Sequence, residues 1–185
     1  MAAFLPLATI LISLLAATAT ANNGYTTPPA STPPPQNGGG ESKLLVRIEG
    51  LVYCQSCAHR NSWSLDGAKP LPKSKVAVTC RDAKNRVSGW RLAVADETGY
   101  FLAEFGVTKV VDFFMGDPRR ACYVRLLASP DEECNELTNI NFGIEGAPLR
   151  DEGKKWAGQG FDNVVYASGP LAFRPAKCAP RQYYH

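Results

Sequence analysis

The sequence predicts an all-β domain, an antiparallel β-sandwich or small β-barrel of about seven short strands closed by three disulfides. Three observations lead there. Apolar residues recur with a period of two in runs bounded by Gly, Pro, Asp or Asn. No long stretch with helical period survives those breakers. Six cysteines follow a segment with the marks of an export signal.

Residues 1–21 carry no charged side chain, and the run from Ala3 to Ala17 is broken only by Pro6, Thr9 and Ser13. Ala17-Thr18-Ala19 and Ala19-Thr20-Ala21 offer the small-x-small pattern of signal cleavage, so residues 1–21 read as a signal peptide cut after Ala19 or Ala21. No later segment approaches bilayer-spanning length, so the expectation is a secreted chain with no membrane segment after cleavage. Residues 22–42, NNGYTTPPASTPPPQNGGGES, have no hydrophobic period and cannot offset the entropy of ordering. They read as a Pro/Gly-rich linker. Pro28, Pro29, Pro33, Pro34 and Pro35 favour polyproline II and, beside Ser and Thr, are candidate sites for hydroxylation and O-glycosylation. No Asn-x-Ser/Thr sequon occurs.

Residues 43–185 form the folded part. Leu44, Val46, Ile48, Gly50, Val52 and Cys54 share one parity, with Arg47 and Glu49 on the other, which predicts a half-buried strand ending at a cysteine. Val76, Val78 and Cys80 alternate with Lys75, Ala77 and Thr79. Trp90, Leu92 and Val94 alternate with Arg91 and Ala93, and Val76, Val78 and Trp90 are expected to point inward. Asp96-Glu97-Thr98-Gly99 then supplies turn chemistry before Tyr100 to Phe105, which predicts a hairpin. Val107 to Phe114, Cys122 to Leu127 and Val164 to Ser168 complete the strands.

Twenty basic against 17 acidic residues give a net charge of +3, too mild for a nucleic-acid footprint. Only two histidines, His59 and His185, are present, which disfavours His-rich metal sites and triad chemistry. Cys54-Gln55-Ser56-Cys57 has no convincing helix after it to activate a thiolate, no second zinc pair, and Ala58 where haem attachment needs His. Export to an oxidising space instead predicts that Cys54, Cys57, Cys80, Cys122, Cys134 and Cys178 form three structural disulfides, for which spacing alone leaves about fifteen connectivities.

Glu49-Gly50-Leu51-Val52-Tyr53-Cys54-Gln55-Ser56-Cys57, a third cysteine closing a Val-rich strand, Asp96-Glu97-Thr98-Gly99-Tyr100-Phe101, and Cys122 with Cys134 twelve positions on resemble the pollen Ole e 1 allergen and extensin family. The likeness runs from about Leu44 to Cys178. The Pro-rich segment resembles the arabinogalactan-type branch of that family. The resemblance implies a compact all-β barrel or sandwich, a non-enzymatic role in the cell wall or extracellular space, and the pairs Cys54–Cys134, Cys57–Cys178 and Cys80–Cys122. The linker here is short, so extensin-like cross-linking does not follow.

Between Lys69 and Arg91 lie seven basic residues, Lys69, Lys73, Lys75, Arg81, Lys84, Arg86 and Arg91, against one acid, Asp82, a net of +6. Such a stripe attracts polyanions, and outside a plant cell the polyanion at hand is pectin. Acidic wall polysaccharide, or another wall protein, is therefore the expected partner, with Lys69, Lys73, Lys75, Arg81, Lys84 and Arg86 as candidate contacts. Asp131, Glu132, Glu133 and Glu136 lack the spacing of a calcium loop. His59 stands near Ser62 and Ser64 without an orienting acid, and no phosphate-binding Gly loop occurs. No catalytic residue, metal site or cofactor is nominated. Two other functions stay open: a wall-polysaccharide hydrolase, which needs two carboxylates in one cleft, and a protease inhibitor presenting Met115 to Arg120. Tyr25, Tyr183 and Tyr184 are candidates for oxidative coupling to other wall proteins.

Overall fold

The computed structural model describes residues 43–179. The expected signal peptide, the Pro-rich linker with its five candidate prolines, and Tyr25, Tyr183 and Tyr184 lie outside the described residues. Within them the elements are β1 (Lys43–Cys54), β2 (Lys69–Pro70), β3 (Lys75–Arg81), β4 (Val87–Val94), β5 (Tyr100–Val107), α1 (Val110–Phe114), α2 (Pro118–Ala121), β6 (Cys122–Ala128), β7 (Glu136–Leu137), β8 (Ala147–Gly158), β9 (Phe161–Ser168) and β10 (Leu171–Arg174).

β1 organises the molecule, and its parity is the one the sequence pattern predicts: Val46, Ile48, Gly50 and Val52 face the core. Its N-terminal half lies between β5, antiparallel, and β9, parallel. Its C-terminal end lies between β2, antiparallel, and β10, parallel. The ten-stranded sheet is therefore mixed rather than purely antiparallel. β9 and β10 behave as one strand interrupted at Gly169-Pro170. Ala167 pairs with Glu49 and Leu171 with Val52, so four steps on one side match three on the other. An extra residue beside a proline, which has no N–H for the ladder, is the chemistry of a bulge.

From β9 the sheet continues through β8, β6 and β3 to β4. It does not close into a barrel. The turn between β4 and β5 has the expected chemistry, with Asp96 Oδ1 accepting from the Thr98 and Tyr100 amides at 2.8 and 3.0 Å. Gly99 there has φ +77° and lies so close to the Val52 carbonyl that a Cβ would not fit. The two strands nevertheless do not pair as a hairpin, because β4 gives its ladder to β3 and β5 gives its ladder to β1. Phe105, Phe113 and Phe114 fill the space between them, with ring centroids 4.6–6.3 Å apart, over Gly89, where a Cβ would lie 2.5 Å from the Phe113 ring. This packing explains why Val107 to Phe114 is not one strand: the β-prone Phe113 and Phe114 are drawn into a helical turn by burial, which outweighs local propensity.

β4 also reverses the expected orientation of Trp90. Val76, Val78 and Cys80 of β3 are buried, and their neighbours across the ladder are Ala93, Arg91 and Gly89. Neighbours across a ladder share a face, so Trp90, Leu92 and Val94 point outward and are 50, 47 and 52% exposed. Ala93 fits inside, and the Arg91 guanidinium lies 5.3 Å from the Phe105 ring centre.

Candidate functional site

The six cysteines form Cys54–Cys134, Cys57–Cys178 and Cys80–Cys122. Cys54 and Cys57 thus have different partners and do not make a redox pair. Gln55, between them, is buried and donates from Nε2 to the Ser62 and Ser64 carbonyls, both at 2.9 Å. Arg60 Nη2 and Arg174 Nε meet Glu136 at 3.1 and 2.8 Å, so its carboxylate is engaged by two guanidiniums. Among the described residues no group of acids, Cys and His is placed to hold a metal. The Met115 to Arg120 segment is not an extended inhibitor-type loop. Asp117 caps α2 by accepting from the Arg119 amide and pairs with its guanidinium at 2.8 Å.

The basic stripe is spread along the β3–β4 hairpin. Arg81, Lys84 and Arg86 lie toward the hairpin's tip, where Asp82 pairs with Arg86 and is held below the usual carboxylate range by that hydrogen bond. Lys75 stands at the other end of β3, Lys73 in the turn before it, and Lys69 on β2 beside the end of β1. What links the tip to the sheet face is a pair of residues on β6 that the stripe omits. Tyr123 lies across from Thr79, which lies across from Trp90, and Arg125 lies across from Ala77 and then Leu92. The Arg81 and Arg125 guanidiniums sit 5.8 and 5.0 Å from the centre of the Tyr123 ring, and Arg81 donates to its hydroxyl at 3.3 Å. Burial pushes the Tyr123 phenol up, but the Arg81 hydrogen bond and the two positive charges outweigh it and its pKa falls below the ordinary value. Gly146 allows this packing, since a Cβ there would lie 2.9 Å from the Tyr123 ring. The result is an open face on which Trp90, Leu92 and Tyr123 alternate with Arg81, Arg125 and Lys75.

A second feature is a groove of about 630 Å³ on the outer face of β1, where its neighbours change. Leu51 and Ala167 form its floor, Tyr100 stands on the β5 side, Arg150 on the β8 side, and Tyr53, Leu65 and Pro170 close one end. Glu49 lines it with both oxygens engaged, accepting from the Tyr100 hydroxyl at 2.8 Å and from Lys154 Nζ at 3.2 Å. It is the one carboxylate among the lining residues, so the groove does not supply the acid pair of a hydrolase.

Burial, then the bond to Glu49, pushes the Tyr100 phenol up to about 12. A group whose proton is held more tightly in the folded state adds stability that is complete below the ordinary pKa of 10.0 and is lost as pH climbs toward 12. Denaturant unfolding in this window should show a loss of stability that Tyr100→Phe flattens. Phenolate absorbance in the native protein should lose its highest step in the same variant.

No protein-family profile matches the chain. Among curated proteins, non-classical arabinogalactan protein 30 of Arabidopsis thaliana is 30% identical over 142 residues, covering 72% of this chain and 54% of that protein. Proline-rich protein 3 of the same plant is 26% identical over 144 residues, covering 75% of this chain and 40% of that protein. The chain thus spans about half the length, or less, of these curated relatives. Among solved structures, the crystal structure of the major plantain pollen allergen Pla l 1 matches with a TM-score of 0.52 and 20% identity, over 75% of this chain and 98% of that one. The fold is that of a pollen allergen and the sequence relatives are arabinogalactan and proline-rich proteins, so the comparisons support the chain's resemblance to the pollen Ole e 1 allergen and extensin family.

Proposed function

We propose that this chain is an exported, non-enzymatic protein of the cell wall that holds acidic wall polysaccharide on the open face of β4, β3 and β6. The domain is carried behind a cleaved signal and a short Pro-rich arm. The relatives named as arabinogalactan and proline-rich proteins support the wall setting. The observation that carries the binding reading is the Arg81–Tyr123–Arg125 stack beside Trp90. Guanidiniums fixed against a ring present their remaining donors to a carboxylate and lose little freedom on binding. The exposed Trp90 ring takes the apolar face of a sugar. Lys84 and Lys75 extend the positive field along the hairpin.

The test is retention and titration of the oxidised protein on polygalacturonate across a salt series. Two guanidinium contacts at about 0.5–1 kcal/mol each predict that Arg81→Gln with Arg125→Gln weakens binding about tenfold. Affinity should also fall as salt screens the field. Unchanged retention in the double variant would exclude this face as the site.

A further inference from the structure

The groove on β1 lies on a different strand face from the Arg–Tyr stack, and its electrostatics differ in kind. Two charged side chains of β1 on this outer face, Glu49 and Arg47, are already paired within the protein. Glu49 is held by Tyr100 and Lys154. One step further along β1, Arg47 pairs with Glu104 at 2.8 Å and lies 5.2 Å from the centre of the Trp156 ring. The groove itself adds Tyr53 and Tyr100 as ring surfaces, Leu51 and Leu65 as apolar floor and wall, and Glu49 and Arg150 as polar groups at the sides. Leu51, across from Tyr100, and Arg47 are four residues apart on the same face of β1, so the Tyr100 and Arg47–Trp156 levels are separated by about 13 Å.

We infer that this groove binds an uncharged polysaccharide chain lying along β1, with sugar rings against Tyr53 and Tyr100 and the chain continuing toward Trp156. A pyranose presents C–H faces and a rim of hydroxyls. The groove answers with rings and aliphatic side chains in its body and a carboxylate–phenol pair and a guanidinium at its edges. A polyanion gains little here, because a carboxylate that meets Arg150 also approaches Glu49. The volume is in the range of pockets that enclose small ligands. Tyr100 and Glu49 orient each other, so the polar groups are set before the ligand arrives and little ordering cost remains. The inference does not depend on the polyanion reading, since the two sites share no residue.

The experiment is calorimetric titration of the oxidised protein with neutral β-linked oligosaccharides of glucose, xylose and galactose, at low and high salt. Binding of at least one series should be insensitive to salt. Tyr100→Ala and Tyr53→Ala should each weaken it about tenfold, and Tyr100→Phe, which keeps the ring and loses the bond to Glu49, by only a few fold. Ala68→Arg, which obstructs the groove from the loop before β2 and leaves β1 untouched, should abolish it. Arg81→Gln with Arg125→Gln should leave it unchanged while weakening polygalacturonate binding, so the two sites fail separately. The inference is overturned if no neutral oligosaccharide binds. It is equally overturned if binding survives Ala68→Arg, follows the arginine double variant, or is replaced in the groove by a proline-rich peptide.

Discussion

Replacing Cys54 and Cys134 together by alanine should lower the unfolding free energy more than opening either of the other two disulfides, by about 4–5 kcal/mol. Chain entropy alone ranks the bridges by the length they close, 121 residues for Cys57–Cys178, 80 for Cys54–Cys134 and 42 for Cys80–Cys122. The native structure changes that order. Cys178 lies four residues beyond the end of β10, on a tail held by Arg60 through the Pro175 and Ala176 carbonyls. Opening its bridge frees the folded tail as well as the unfolded chain, and the two gains partly cancel. Cys54 ends the central strand and Cys134 is buried, so the folded state gains no comparable freedom when their bridge opens. Cys80 and Cys122 are neighbours across the β3–β6 ladder and stay together without the sulfurs, but they close the shortest loop. Chemical denaturation of the three double-alanine variants should therefore give the loss order Cys54–Cys134, Cys80–Cys122, Cys57–Cys178. A ranking by loop length alone would overturn the argument. Since domains of this kind hold about 5–15 kcal/mol in total, the largest loss leaves a marginal protein.

The strands that the sequence made legible are those with one buried face and one wet one. β1 alternates cleanly because its odd residues face solvent or the groove and its even residues face the core. β8 gave no signal. In Ala147–Gly158 only Ala147 and Leu149 are buried, and the charged remainder is held in extended form by its ladder to β9. The parallel pairing of β1 with β9 was also out of reach, since it joins segments more than a hundred residues apart and leaves no local pattern. Trp90 lies outside rather than inside because alternation fixes which residues share a face but not which face is buried. Glycine at position 89, small enough to lie over the phenylalanine cluster, and the small Ala93 on the same face are the weak clue.

The candidate sites were legible in the same partial way. A run of basic residues can be read from sequence as a charge, and Arg81, Lys84 and Arg86 do stay close on the hairpin. Arg125 and Tyr123 lie more than forty residues from Arg81, so the stack they form exists only once β6 is laid beside β3. The groove depends on where β1 changes neighbours. Glu49, Tyr100 and Arg150 come from three strands, and nothing in their spacing announces that they meet.

Gly50 is the position where that change of neighbours is most sensitive to a single carbon. It shares the inward parity of Val46, Ile48 and Val52, yet a Cβ there would lie 2.5 Å from Ser168 Oγ and 2.7 Å from two carbons of the Phe101 ring. Both neighbours are buried and neither is the loose end of a flexible chain. Gly50→Ala must therefore push β5 or β9 away from β1, at about 1–3 kcal/mol for overpacking, and Gly50→Val at more. The cause can be separated from a backbone effect, because the Ser168 hydroxyl is buried without a hydrogen-bond partner among the described residues. Ser168→Ala removes an unsatisfied polar atom and should be neutral or stabilising by up to about 1 kcal/mol on its own. In the Gly50→Ala background it also removes the nearest clash, so the two substitutions together should cost less than the sum of their separate effects. A double-mutant cycle by denaturant unfolding measures that coupling. Strict additivity would mean that β1 tolerates the methyl by shifting elsewhere, and that the close approach of Gly50 to β9 does not hold the break in β1's partners in place.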